Sequence, residues 1–177
     1  MNAPTPLEIV TLVIAVVGVV LAAATFAWQL AEWKLSGDRV KVQLLLGAIG
    51  RGGIVTMPMG TATAPLVQQG FQELVFVVRA INVGRLPTTV TNYDIEFDNG
   101  AAYCRAGAVI NPDLPHRLES QSKADFHTSM DEVQKVLGLV RSRKPDGVDR
   151  IRPRVTLASG KTVQGPWETV AVVTTSV

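Results

Sequence analysis

Three arginines near the C-terminus are the residues best suited to act together in recognition. Arg150, Arg152 and Arg154 alternate along the chain, and alternate residues of a β-strand lie on one face of a sheet. Arg143 and Lys144 come shortly before them. Arginine recognises carboxylates and phosphates through paired hydrogen bonds. The pattern predicts a basic interaction face for anionic lipid headgroups or an acidic protein partner; the alternative is a solvated edge strand that its charges protect.

The other residues capable of chemistry do not form a recognisable catalytic or metal-binding pattern. Asp94, Glu96 and Asp98 alternate, and such carboxylates can support acid–base chemistry or calcium binding. No calcium-binding loop frames them, which favours a solvated strand face. The two histidines and the single cysteine lack metal-ligand spacing. We therefore predict a non-enzymatic protein with no catalytic residue, no cofactor and no metal.

Composition narrows the class of partner. The chain has 177 residues, with 17 basic and 15 acidic side chains and a net charge of +2. This balance gives no electrostatic reason to expect nucleic acid, so none is predicted as a partner. The single cysteine, Cys104, excludes an intrachain disulfide and agrees with a reducing compartment.

The N-terminal stretch has the length and composition of a transmembrane helix. Ile9–Trp28 contains no charged residue. A helix of about 20 residues is roughly 30 Å long, which matches the hydrocarbon core of a bilayer. We assign residues 1–31 to this helix and predict the lipid bilayer as its partner. Trp28 and Trp33 suit the headgroup layer and are predicted to be interfacial anchors.

The residues in and around this helix predict whether signal peptidase cleaves it and how it is oriented in the membrane. The small residues Ala22–Ala24 resemble a signal-peptidase site. However, the apolar run exceeds the usual length of a signal peptide and no basic residue precedes it, which favours a retained signal-anchor. Lys34, Arg39 and Lys41 follow the helix, so we expect a single-pass cell-membrane protein with its N-terminus outside and its C-terminal domain cytoplasmic.

One face of the helix carries small residues. Gly18 and Ala22 are four positions apart, a spacing that lets two membrane helices approach closely. They are candidate helix-packing residues for a homo-oligomer. The alternative is that glycine and alanine are simply common in membrane helices.

The remainder predicts a β-rich domain. Arg39–Leu46 alternates apolar and polar residues, and Glu73–Asn82 is apolar on both faces, as in a central strand. In Thr88–Phe97 the odd-numbered residues, from Thr89 to Phe97, are predicted to face inward. Pro153 predicts an edge or irregular strand. Ser129 begins a capping box, which predicts a helix near 130–143.

These elements predict one domain behind a short connection. Residues 32–38 form a juxtamembrane linker too short to act as a long tether, and residues 39–177 form the domain. The fold class is mainly β: an immunoglobulin-like antiparallel sandwich with one inserted α-helix, preceded by one N-terminal transmembrane helix.

Several segments carry a resemblance to known proteins. The segments Val77–Gly84, Pro87–Thr91 and Leu118–Ser122 resemble turns and strands of small immunoglobulin-like domains. The layout resembles uncharacterised single-span bacterial membrane proteins, through the segments Trp28–Leu30, Leu35–Gly37, Asn82–Arg85 and Pro115–Leu118. This resemblance implies a membrane-anchored sandwich and carries no activity with it. We expect a membrane-anchored, non-enzymatic protein-interaction module; the alternative is an accessory or structural subunit of a larger membrane complex.

Overall fold

The computed structural model describes residues 5–35, 38–61, 65, 69–71, 73–104, 112–143 and 150–169. The chain divides into two compact units, Met1–Gly37 and Asp38–Val177, and each is considered by itself. We call the second unit the head.

The described part of the first unit contains the α-helix α1 (Pro6–Leu35), which continues through the first four residues of the predicted linker. The backbone N–H of Thr5 donates to the Glu8 carboxylate at 2.7 Å, half of a capping box, and Pro6 occupies the first helical position. All its described side chains are exposed within the unit. The stretch Pro6–Glu32 is long and apolar enough to cross a membrane.

In the residues that the structure describes, the head is mainly β, as predicted, with two antiparallel sheets and a 14-residue helix between strands. Its elements are β1 (Val40–Gly50), β2 (Gly53–Pro58), β3 (Glu73–Asn82), β4 (Thr88–Phe97), β5 (Ala102–Tyr103), β6 (His116–Leu118), β7 (Lys123–Ser129), α2 (Met130–Arg143), β8 (Arg150–Leu157), β9 (Thr162–Gln164) and β10 (Glu168–Thr169). Sheet A has the order β2-β1-β3-β7, and sheet B the order β10-β8-β4-β5, with β6 beside β4 and β9 beside β8.

The two sheets enclose one hydrophobic core. The inward residues of β1 are those that its alternation predicts, and β3 lies between β1 and β7 as its two apolar faces require. The stacked rings of Tyr93 and Phe126, with centroids 4.8 Å apart, join sheet B to sheet A. Met130, Val133 and Leu137 bury one face of α2 against the same core. Burial of apolar surface is therefore the main force that holds the sheets together.

A β-bulge corrects the predicted inward face of β4. Val90 is opposite Leu157 and Asn92 is opposite Thr156, so Thr91 is an extra residue in the register. Thr91 is exposed, and Val90 is buried in place of the threonines on either side. The inserted residue shifts the alternation of inward and outward side chains by one position. A prediction that assumes strict alternation along the strand cannot detect this shift.

Pro153 lies in a central strand, so the prediction of an edge strand is wrong. β8 pairs with β4 along its length and with β9 and β10 on its other side. The Gly165 N–H donates to the Pro153 carbonyl at 2.8 Å, in the gap between β9 and β10. Because the N and C=O of a strand residue point to the same side, the missing N–H of Pro153 falls in that gap and breaks no ladder bond.

Gly165 is required by close packing in this gap. A Cβ at this position would lie 2.6 Å from Pro153 Cγ and 2.7 Å from the Val42 carbonyl oxygen, so backbone would have to move. We expect Gly165→Ala to lower the free energy of unfolding by about 2 kcal/mol. Urea unfolding of the full chain in mild detergent, followed by pulse proteolysis, measures this change.

Gly138 provides a control for Gly165→Ala, because an added Cβ at Gly138 would meet no neighbouring atom. It lies exposed in α2, and no atom is within 4 Å of its Cβ position. Gly138→Ala is expected to raise the free energy of unfolding by about 0.5–1 kcal/mol, because alanine favours the helix. Equal effects of the two substitutions would contradict the packing argument.

Candidate functional site

The arginines of β8 lie on the outer face of sheet B. Arg150, Arg152 and Arg154 alternate with the buried residues of β8, whose side chains enter the core. Arg143 is the last residue of α2, its side chain lies outside the described part, and Lys144 lies outside the described residues altogether. The structure therefore brings together the three alternating arginines and leaves the two flanking cations unplaced.

Two of these arginines are paired with the carboxylates of β4. Arg154 is directly opposite Asp94 and Arg152 is directly opposite Glu96. Arg154 donates to both carboxylate oxygens of Asp94 at 2.7 and 3.0 Å, and Arg152 donates to both oxygens of Glu96 at 3.0 Å. Paired bonds of this kind are strong and strongly directional. The expected free basic face is thus largely neutralised by its neighbouring strand.

The carboxylates are not the solvated groups that their alternation suggests. The Asp94 side chain is 5% exposed and that of Glu96 is 13% exposed. The hydrogen bonds from Arg152 hold the pKa of Glu96 below its usual range, against the opposing effect of burial. The hydrogen bonds that Arg154 donates to Asp94 raise the pKa of Arg154 above its usual value. The shifts in these two pKa values favour the charged forms of Glu96 and Arg154.

Trp167 completes this surface and was not singled out by its position in the sequence. The guanidinium carbon of Arg152 lies 4.3 Å from the centroid of the indole ring, and that of Arg150 lies 5.7 Å away. Both distances are within the range of a cation–π interaction. Gln164 also donates to Glu96 at 3.3 Å. In the sequence, the only sign of this contact is that a tryptophan lies shortly after the alternating arginines. The structure shows the contact because β9 and β10, on either side of Trp167, both pair with β8.

We call this group the sheet B cluster. It consists of Asp94, Glu96, Arg150, Arg152, Arg154 and Trp167. The guanidinium groups of Arg152 and Arg154 donate to the oxygens of Glu96 and Asp94, so these carboxylates act here as acceptors for arginine. The arrangement provides a partly exposed surface with an indole ring and alternating charges.

A second bidentate pair lies on the outer face of sheet A. Arg79 donates to both oxygens of Asp125 at 2.7 Å, and β3 and β7 place the two residues directly opposite each other. The hydrogen bonds from Arg79 lower the pKa of Asp125 and raise that of Arg79. This pair ties β7, which leads into α2, to the centre of sheet A.

The two lowered carboxylate pKa values predict acid sensitivity. Glu96 and Asp125 bind protons more readily in the unfolded chain than in the folded head. Their contribution to stability is therefore complete above their ordinary pKa values and is lost as the pH falls through the folded ones. We expect the free energy of unfolding to decline below about pH 4, measured by pulse proteolysis in urea across pH.

Two variants separate this effect from general acid denaturation. Asp125→Asn removes one of the two linked protons and is expected to flatten the decline. Asp113→Asn changes an exposed carboxylate and serves as the matched control. An identical pH profile for both variants and the original chain would contradict the assignment.

The predicted helix-packing and anchoring residues lie on α1. Gly18 is open on its own helix, with no atom within 4 Å of its Cβ position, and Ala22 is exposed within the unit. Thr25 donates its hydroxyl hydrogen to the Leu21 carbonyl, so this polar group is satisfied within the helix. The Trp28 side chain is exposed, and Trp33 is helical with its side chain outside the described part.

Two open clefts lie elsewhere on the head. One, of about 640 Å³, lies beside the β1–β2 hairpin, with Arg51 and Phe71 among its walls. The other, of about 580 Å³, lies between the start of β1 and β9. Neither of these two clefts includes the sheet B cluster or His127 in its lining. Among the residues that the structure describes, no group of three or more metal-binding side chains is found.

The sequence was compared with protein-family models and with curated protein sequences. No protein-family model matches the chain. No curated protein sequence matches it significantly.

Proposed function

We propose that this protein is a membrane-anchored, non-enzymatic interaction module. In this proposal α1 is a retained signal-anchor, the N-terminus is outside the cell and the head is cytoplasmic. The length and apolar composition of α1 support the anchor. The basic residues that follow α1 in the sequence support the orientation.

The head is proposed to be an immunoglobulin-like sandwich. Strands β1-β3-β7 are neighbours in sheet A, and β4-β8-β9 are neighbours in sheet B. This pairing corresponds to the A-B-E and C-F-G strands of that fold, with α2 inserted before the F strand. The resemblance to single-span bacterial membrane proteins supports the same proposal and supplies no activity.

The observation that carries the interaction role is the contact of Trp167 with two arginines on the outside of sheet B. Tryptophan and arginine are enriched among the hot-spot residues that contribute most of the binding energy of protein interfaces. Arg152 is half-buried and paired with Glu96, whereas Arg150 is exposed beside the same indole ring. This surface suits a protein partner that brings an acidic side chain to Arg150 and an apolar group to Trp167.

Site-specific photo-crosslinking tests this surface in the full chain. A photo-reactive residue at Gln164, beside the sheet B cluster, is expected to form a discrete adduct with a partner. The same residue at Gln43, an exposed position of sheet A, is expected to form none. Arg150→Ala/Trp167→Ala should lower the adduct yield about tenfold, since removal of hot-spot side chains costs more than 1 kcal/mol.

The control for this loss is Arg51→Ala, which removes an exposed arginine from the β1–β2 hairpin. It should leave the adduct unchanged. Adducts of equal yield from Gln43 and Gln164, or an adduct that survives the double substitution in a folded head, would refute the proposed surface.

The alternative function is an accessory or structural subunit of a larger membrane complex. Its supporting observation is the open Gly18 position on α1, four residues before Ala22. A photo-crosslink from Gly18 to another membrane protein, with none from Gln164, would favour this alternative.

A further inference from the structure

The turns and strand ends at one end of the sandwich concentrate positive charge. This is the end at which the chain enters the head, and we call it the entry pole. Its exposed cations are Arg39, Lys41, Arg85 and Lys161. They come from the start of β1, the β3–β4 turn and the β8–β9 turn, which are far apart in the sequence. Only the fold therefore brings them to one surface.

Direct contacts show that these segments meet. The Val83 N–H donates to the Arg39 carbonyl at 2.8 Å, and the Lys161 ammonium donates to the Asp38 carbonyl at 3.2 Å. Arg39, Lys41 and Lys161 line one open cleft of about 580 Å³ between β1 and β9. A cleft with three cations on its walls has the chemistry to accept a phosphate group.

The acidic residues at this pole leave the charge unbalanced. Glu119, in the β6–β7 turn, pairs with Arg117 at 2.8 Å. Asp38 is the other carboxylate close to the cleft. Among the described residues, the four cations of the entry pole form no salt bridge with a carboxylate. Unlike Arg152 and Arg154 of the sheet B cluster, these cations are not paired with a carboxylate, so they remain available to an anionic partner.

We propose that the entry pole binds the anionic lipid headgroups of the leaflet next to which α1 ends, so that the head rests on the membrane. This inference rests on the proposed membrane anchoring. Only Ser36 and Gly37 separate Leu35, the end of α1, from Asp38. A connection of that length reaches about 10 Å, comparable with the Debye length at physiological salt. Basic residues so near an anionic surface bind it measurably.

Lysine acetylation in nanodiscs tests this proposal with the full chain. The discs contain either phosphatidylcholine alone or about three parts phosphatidylcholine to one part phosphatidylserine. Lys41 and Lys161 should react about fivefold more slowly in the anionic discs. Lys135, exposed on α2, is the internal reference and should keep its rate. About 0.5 M salt should abolish the difference, because it shortens the Debye length to a few ångströms.

A matched pair of variants examines cooperation between the cations. Arg39→Gln/Lys41→Gln should remove most of the protection of Lys161. Arg51→Gln removes a cation from an exposed position outside the pole, keeps Lys135 as the reference and should leave that protection intact. Equal rates in both kinds of disc, or equal slowing of Lys135, would overturn the proposal. A chain that enters the discs with unprotected lysines refutes this inference alone, whereas a chain that does not enter them refutes the anchoring as well.

Discussion

Asn82→Ala is expected to lower the free energy of unfolding of the head by about 3 kcal/mol, because it removes a set of buried and partly buried hydrogen bonds that one side chain makes. Asn82 is 1% exposed at the end of β3. Its amide nitrogen donates to the carbonyls of Leu86, Leu118 and Glu119 at 2.8, 3.2 and 3.2 Å, and its side-chain oxygen accepts the Gly84 N–H at 2.9 Å. One side chain thus holds the β3–β4 turn against the β6–β7 turn. Pulse proteolysis of the full chain in urea measures the loss.

Two further substitutions identify which half of the amide matters. Asn82→Asp retains an acceptor for Gly84 but places carboxylate oxygens against three carbonyl oxygens, so it should cost at least as much as alanine. Asn99 makes a similar local hydrogen bond, because its side-chain oxygen accepts the Ala101 N–H at 3.0 Å. Asn99→Ala removes this bond alone. It should cost no more than about 1 kcal/mol. Equal losses for Asn99→Ala and Asn82→Ala would contradict a role for the three donated bonds.

The proposed orientation predicts an all-or-none difference in the labelling of Cys104. This residue is the only cysteine in the chain, and its side chain is exposed. In intact cells a membrane-impermeant maleimide should leave Cys104 unlabelled, whereas a permeant maleimide should label it. After lysis both reagents should react. Gel-shift of the labelled full chain measures each fraction, and complete labelling by the impermeant reagent would place the head outside and reverse the orientation.

The N-terminus provides the matched control for this experiment. Thr5→Cys in a Cys104→Ser background places the single thiol before α1, and the impermeant reagent should then label intact cells. The intact mass of the same variant reports on processing. Loss of the segment that contains Thr5, through cleavage near Ala24, would refute the retained anchor while leaving the description of the head unchanged.

The sequence determined the features that depend on local periodicity and composition. The uncharged run Ile9–Trp28 predicts the helix α1, and the alternation from Val40 to Leu46 predicts which residues of β1 are buried. The capping box at Ser129 predicts a helix that begins at Met130. Each of these features depends on residues that are near one another in the sequence, or only on whether a side chain is apolar. A single segment therefore contains enough information to predict it.

Tertiary structure alone decided which charges are neutralised. The alternation of Arg152 and Arg154 says that they share a face, but only the register of β8 against β4 places Glu96 and Asp94 opposite them. That register depends on the bulge at Thr91. The entry pole is decided in the same way, because Arg39 and Lys161 meet through the packing of β1 beside β9. Charge pairing depends on distances in space, and strand register sets those distances between residues that are remote in sequence.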